Sequence, residues 1–180
     1  MQDVWLLKLD AAAVVADALR RELQSVSSEL RSWQAMDGAL TYIYVPAHFA
    51  PLVRLAEVTR AGVEWQRLAC VQDLDGASSG EAAPFHYVVE TDVLPQQEED
   101  LNAWYSQEHL PGLAAVPGTV RAARYVDAAG SPRYYACYDL MSPDTLGSPP
   151  WLAVRATAWT SRVRSAFRNT RRTMFRRTPS

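Results

Sequence analysis

Leu101, Trp104, Tyr105, Glu108 and His109 fall at positions i, i+3, i+4, i+7 and i+8. In a helix that spacing puts all five side chains on one arc of about 140°. Ala103, Ser106 and Gln107 take the opposite side and are small or polar. The segment therefore reads as an amphipathic helix whose inward face carries a carboxylate and an imidazole beside two aromatic rings. A carboxylate on an apolar arc must be paired, hydrogen-bonded, protonated or wet, because burying it bare costs several kcal/mol. This predicts one wall of a pocket with a polar floor. Pro111-Gly112 predicts the helix stop, and Val116-Pro117-Gly118 a second sharp turn. The runs Thr119 to Val126 and Tyr134 to Tyr138 flank an Asp127-to-Gly130 turn, which predicts a β-hairpin.

Five separated pieces stand in a recognisable order. They are Trp104-Tyr105-x-x-Glu108-His109-x-Pro111, Val116-Pro117-Gly118, Ala123-Arg124-Tyr125, Gly130-x-Pro132-x-Tyr134-Tyr135-Ala136-x-Tyr138-Asp139-Leu140 and Leu146-x-Ser148-Pro149-x-Trp151. Together they resemble the EthD-like branch of the dimeric α+β barrel proteins, over roughly Phe85 to Arg177. The resemblance implies a ferredoxin-like βαββαβ unit whose sheet pairs with a second such sheet and encloses a ligand pocket. That superfamily includes monooxygenases, lactone isomerases and haem-degrading enzymes, so fold alone leaves the chemistry open.

The first half is read from element order. Asp3 to Leu9 predicts an opening strand and Ala11 to Trp33 a helix capped by Asp10. Met36-Asp37-Gly38 turns the chain into a strand over Ala39 to Val45, which Pro46 stops. Ala50 to Ala61 predicts a second helix closed by Gly62, and Val63 to Asp73 a strand. The order β-α-β-α-β is that of a ferredoxin-like half with one strand unread. Leu74 to Pro84, rich in Gly, Ser and Ala, is the linker. The expected architecture is thus α+β, a tandem of two ferredoxin-like halves forming an α+β barrel, with a divergent half over residues 1–78 and an EthD-like half over 79–180. In the second half, Phe85 to Leu94 predicts a strand, Pro149-Pro150 opens a helix over Trp151 to Thr157, and the family pattern places the last strand at Thr170 to Arg176. A tandem closes its barrel within one chain, whereas a single ferredoxin-like half needs two; self-association into a homodimer is expected.

At 180 residues, 48% hydrophobic and 21% charged, the chain can bury a proper core. It holds no apolar run long enough to span a bilayer and no secretion-signal pattern at Met1-Gln-Asp-Val-Trp5, so a cytoplasmic protein without membrane partners is expected. Cys70 and Cys137 lie in apolar, strand-like runs and read as buried reduced thiols. The net charge of −2 hides an asymmetry. Residues 1–150 hold 10 Lys/Arg against all 20 Asp/Glu, while residues 151–180 hold 8 Arg and no acid. Such an end could meet phosphates, but Trp159, Val163, Phe167, Met174 and Phe175 interleave with the arginines. Docking on the chain's own acidic body, or a partly solvated strand, is therefore expected, and no nucleic-acid partner.

His109 is the candidate catalytic residue, because an unperturbed imidazole with a pKa near 6.5 serves as acid or base at neutral pH. Its alternative role is to cap the helix end by bonding a carbonyl. Trp104, Tyr105, Glu108, Arg124 and Tyr135 are the candidate substrate-binding residues. Glu108 could instead pair with Arg124 or Arg121 to fix the fold, and the aromatics could simply be core. His48 and His86 are isolated in sequence, though either could approach His109 in space. No Walker loop, GxGxxG run, HExxH or haem-attachment pattern occurs, nor a clustered Cys/His metal site. A site without cofactor or metal is the expectation. Two functional readings follow: a cofactor-independent enzyme that moves a proton on a small aromatic or lactone-like molecule, or a binding or structural protein in which the same residues only hold the fold.

Overall fold

The computed structural model of the chain describes residues 2–10, 21–23, 29–49 and 63–178. Eight antiparallel strands close into one barrel: β1 (Val4–Asp10), β2 (Arg31–Ala35), β3 (Leu40–Pro46), β4 (Val63–Asp75), β5 (Phe85–Val93), β6 (Thr119–Val126), β7 (Tyr134–Leu140) and β8 (Phe167–Arg177). Around the barrel the order is β1-β3-β2-β8-β5-β7-β6-β4. Each half thus contributes the same pattern, β4-β1-β3-β2 from the first and β8-β5-β7-β6 from the second, joined where β2 meets β8 and β4 meets β6. This is the tandem ferredoxin-like arrangement closed within one chain, so a second copy is not needed to supply a sheet and no strand edge is left open.

The strand unread in sequence is β2. Its Arg31, Ser32 and Trp33 lie in the stretch assigned above to the helix of residues 11–33, whereas the structure is helical at residues 21–23 and extended from Arg31. The helical period carried over because a five-residue strand offers too few alternations to break it. Trp33 and Ala35 point into the barrel, and residues 11–20 and 24–28 of the predicted helix, like the helix predicted over residues 50–61, lie outside the described residues.

The second half carries three helices. The first, α1, is continuous from Glu98 to Ala114, with α-helical Glu98–Trp104, a π-turn over Tyr105–His109 and α-helical Leu110–Ala114. It does not stop at Pro111-Gly112 as the sequence suggested. Proline lacks an N–H and crowds the carbonyl four residues back. The widened turn before Pro111, where the Leu110 N–H bonds the Tyr105 carbonyl, absorbs that mismatch. Of the predicted helix over Trp151 to Thr157 only the part up to Val154 is helical, in α2 (Pro149–Val154); a further short helix, α3 (Ala158–Arg164), follows beyond it, and each is opened by a hydroxyl cap, from Ser148 or Thr157. Val116-Pro117-Gly118 does turn sharply. Gly118 sits at φ 94°, and a Cβ there would stand 2.6 Å from the Thr145 hydroxyl. The linker is pinned down: the Gly76, Ala77 and Ser78 N–H groups donate to the Val120, Ala114 and Thr119 carbonyls.

Strict period-2 alternation sorts the core into layers. On β7, Tyr134, Ala136, Tyr138 and Leu140 face α1 to α3, while Tyr135 and Cys137 face the barrel interior. Leu7, Leu9, Ile43 and Val45 form a third apolar layer outside the first half. The interior is polar at both ends. Lys8 of β1 contacts Glu90 of β5 at 2.5 Å, and Tyr42 donates to the same carboxylate at 3.0 Å. At the other end His86 Nδ1 meets Asp139 at 2.6 Å, Nε2 meets the Tyr44 hydroxyl at 3.0 Å, and the ring stacks on Trp33. Burial keeps His86 below its usual pKa in spite of Asp139. Burial alone would raise the Asp139 carboxyl, but the hydrogen bond from His86 and the charges of Arg31 and Arg121 hold it below the carboxylate range. A neutral imidazole donating to Asp139 and accepting from Tyr44 satisfies all three groups, and the bonds link β3 of one half to β5 and β7 of the other.

Candidate functional site

The predicted face of α1 is the buried one. Leu101, Trp104, Tyr105 and His109 are buried and Glu108 is half-buried, whereas Ser106 and Gln107 are exposed. The π-turn matters here: its extra residue rotates His109 so that its ring stacks on Trp104, with centroids 4.0 Å apart, and meets Tyr105 edge-on at 5.5 Å. Trp104 is held in turn by a bond from its Nε1 to Thr160 at 3.2 Å.

Behind this helix lies a pocket between α1, the outer face of β5, β7 and β8, and the α2–α3 turn. Tyr87, Trp104, Tyr105, Tyr138, Trp151 and Phe167 supply its aromatic walls, with His109 among them. The free space is about 30 Å³, room for a water or two. Anything ring-sized must therefore displace the exposed Arg164 and Arg172 side chains at the rim.

Three of the residues that line this pocket each carry a fully buried polar atom without a partner: His109 Nδ1, Tyr138 Oη and Trp151 Nε1. Each such orphan costs roughly 1–3 kcal/mol, and three around one small space is a concentration that a packed core avoids. His109 is not a helix cap, since it lies inside the continuous helix. Its pKa is pushed down to about 3, first by burial and then by the charges of Arg155 and Arg164. At neutral pH it is therefore an uncharged imidazole that can accept a proton or hydrogen bond, and it is not the acid-or-base equal that an unperturbed value suggested. Burial raises the Tyr105 phenol to about 12 against the opposing pull of Arg124, so it stays a protonated hydroxyl.

The other predicted residues separate. Glu108 pairs with neither Arg124 nor Arg121; it accepts from the Thr157 hydroxyl at 2.6 Å and so ties α1 to the α3 cap. Arg121 forks onto Asp73 instead. Arg124 lies under α1 but outside the His109 pocket, bonded to Asn102 at 2.6 Å with its guanidinium 4.6 Å from the Tyr105 ring and 5.0 Å from Tyr134. It borders a separate groove with Glu98, Asn102 and Tyr134. Tyr135 is on the far face of β7, inside the barrel, where it bonds Lys8 and Gln66. One residue of register moves a side chain across the sheet, and Tyr138 rather than Tyr135 reaches the pocket. His86 is likewise interior, and His48 bonds Gln2, so neither approaches His109.

Sequence reading also missed the arginines. Arg155, Arg164 and Arg172 line the pocket, and the available signal was the run of eight arginines without an acid. The basic end partly docks as expected, with Arg162 forked onto Asp100; Arg155 and Arg164 follow or end the short helices, and the other five arginines lie on β8, which pairs with β2 of the first half. Cys137 is buried and Cys70 half-buried, and both are free thiols. Among the described residues no cluster of His, Cys, Asp and Glu is arranged to hold a metal, and no helix is long and apolar enough to cross a membrane.

Fold comparison places the chain among ferredoxin-like α+β barrels. A proposed monooxygenase from Lactobacillus acidophilus superposes with a TM-score of 0.69 at 10% identity, covering 98% of this chain and 94% of that one. A proposed monooxygenase from Fusobacterium nucleatum gives 0.70 at 9% identity, over 98% and 92%. An uncharacterised ferredoxin-fold protein from Listeria monocytogenes, related to antibiotic biosynthesis monooxygenases, gives 0.58 at 10%, over 100% and 97%. At these identities the likeness is one of fold. No family model and no curated protein matches the sequence.

Proposed function

We propose that the chain is an enzyme of the EthD-like branch that acts on a small aromatic or lactone-like molecule without a resident cofactor, with His109 as proton acceptor. The observation that carries this reading is the unpartnered Nδ1 of a buried, neutral imidazole on an aromatic-walled pocket. Trp104 and Tyr105 fix the ring by stacking and edge contact, which pre-orients the nitrogen. Proton transfer from a neutral phenol or carbon acid to a neutral imidazole creates an imidazolium and an anion. The arginine charges that disfavour the first stabilise the second, and a water-poor site strengthens that stabilisation. The monooxygenase names of the fold neighbours agree with small-molecule chemistry in this class of barrel. We place the protein in the cytoplasm on the same reading.

Ligand-observed NMR against a set of phenols, aromatic ketones and lactones tests it, followed by mass spectrometry of incubated binders. His109→Phe preserves the stacked ring and removes the nitrogen. The expected result is a binder that wild type converts and His109→Phe does not. Equal conversion by both proteins, or no binder at all, would overturn the reading.

A further inference from the structure

Arg155 follows α2, Arg164 ends α3 and Arg172 lies on β8, yet all three reach the rim of one pocket. Of the other five arginines of the basic end, Arg162 pairs with Asp100 and Arg171 lies within 3.8 Å of Glu90, while Arg168, Arg176 and Arg177 are exposed on β8. The three rim arginines have no carboxylate partner among the described residues, and the pocket lining contains no acid. Three like charges brought to one place repel one another, and an anion bound among them relieves that repulsion. Burial together with the charges of Arg155 and Arg172 pulls the Arg164 pKa below its ordinary value. Trp151 and Tyr138, which line the same pocket, each carry a fully buried donor without a partner, the indole Nε1 and the phenol Oη.

From three unpaired guanidinium groups at the mouth and two buried, unpartnered donors on lining residues, we propose that this pocket selects substrates bearing a carboxylate, held at the arginine rim with the ring inward toward His109. This deepens the functional reading above and rests on it. Guanidinium groups match a planar carboxylate by paired hydrogen bonds, and the aromatic walls suit a ring attached to it. Bound there, the carboxylate offsets the arginine charges beside His109 and makes its nitrogen a stronger base, so the correct substrate itself prepares the proton acceptor.

Calorimetric titration at low ionic strength with benzoate, benzyl alcohol and inorganic phosphate tests the proposal on two charge-matched double variants. Arg164→Gln/Arg172→Gln removes rim charges, and Arg168→Gln/Arg176→Gln removes exposed charges elsewhere on β8. Circular dichroism establishes that both fold. The expected result is saturable benzoate binding to wild type, weakened at least tenfold in the rim variant, unchanged in the control and tighter than either other probe. Equal weakening in both variants would reduce the effect to overall charge and overturn the proposal. Benzyl alcohol binding as tightly as benzoate would also overturn it while leaving the His109 reading intact. Phosphate binding as tightly as benzoate would remove the ring from the recognised class, and binding of no probe would sink both inferences.

Discussion

Glu90→Gln should lower the stability of the chain by about 3–5 kcal/mol, because it leaves the Lys8 ammonium buried without its countercharge. Glu90 is 1% exposed and meets Lys8 at 2.5 Å, Tyr42 at 3.0 Å and Arg171 at 3.8 Å. These partners come from β1, β3 and β8, so the carboxylate ties both halves together inside the barrel. Burial, followed by the Glu90 charge and hydrogen bond, holds the Tyr42 phenol far above its ordinary pKa, so Tyr42 remains a donor. Adding Lys8→Met to the variant should recover most of the loss, since the uncompensated charge is removed and an apolar replacement for a buried pair is often neutral. Urea unfolding of wild type, both single variants and the double variant gives the coupling directly. A loss below about 1 kcal/mol would mean that water reaches this end of the barrel and screens the pair.

Trp104→Ala should cost a similar amount, about 3–5 kcal/mol, by the removal of a fully buried indole and the void it leaves. Trp104 is 1% exposed, stacks on His109, packs against Tyr105 at 4.6 Å and bonds Thr160. Its loss frees the imidazole to rotate, so the variant should also lose whatever ligand the pocket binds, even where the protein remains folded. Trp104→Phe keeps an aromatic face toward His109 and forfeits mainly the indole hydrogen bond, for about 1 kcal/mol. Denaturant midpoints separate the two substitutions. Equal stability of Trp104→Ala and wild type would show that the ring is not a structural wall of the pocket.

The inward face of α1 was legible in the sequence because a helix of this length repeats its apolar positions several times, and the tandem arrangement because most of its strands are bounded by Gly, Pro or Asp. The short β2 was not legible. Nor was the passage of α1 through Pro111, since a π-turn leaves no mark in propensity and shows only in the hydrogen bond from Leu110 to Tyr105. The site was half legible. Local spacing placed Trp104, Tyr105 and His109 together, while Tyr138, Trp151, Arg155, Arg164 and Arg172 come from elements 29 or more residues further on and converge only through the topology. Tyr135 was assigned to the wrong side of its strand because β7 is buried on both faces, so hydrophobic alternation carried no information about which face meets α1.

The chemistry proposed for the pocket depends on an imidazole that is buried and uncharged. In the unfolded chain His109 takes up a proton near pH 6.5, whereas in the folded protein it does so only at about 3. Between these values the unfolded chain binds more protons, so the residue's contribution to stability rises with pH by about 1.4 kcal/mol per unit and is lost as the solution is acidified. The direct measurement is a pH titration of the His109 ring nitrogens by ¹⁵N NMR on the ligand-free protein, assigned by comparison with His109→Phe. A single neutral tautomer from pH 8 down to 4.5 is the predicted result. Half-protonation close to pH 6.5 would place the ring in solvent and contradict the account of the site.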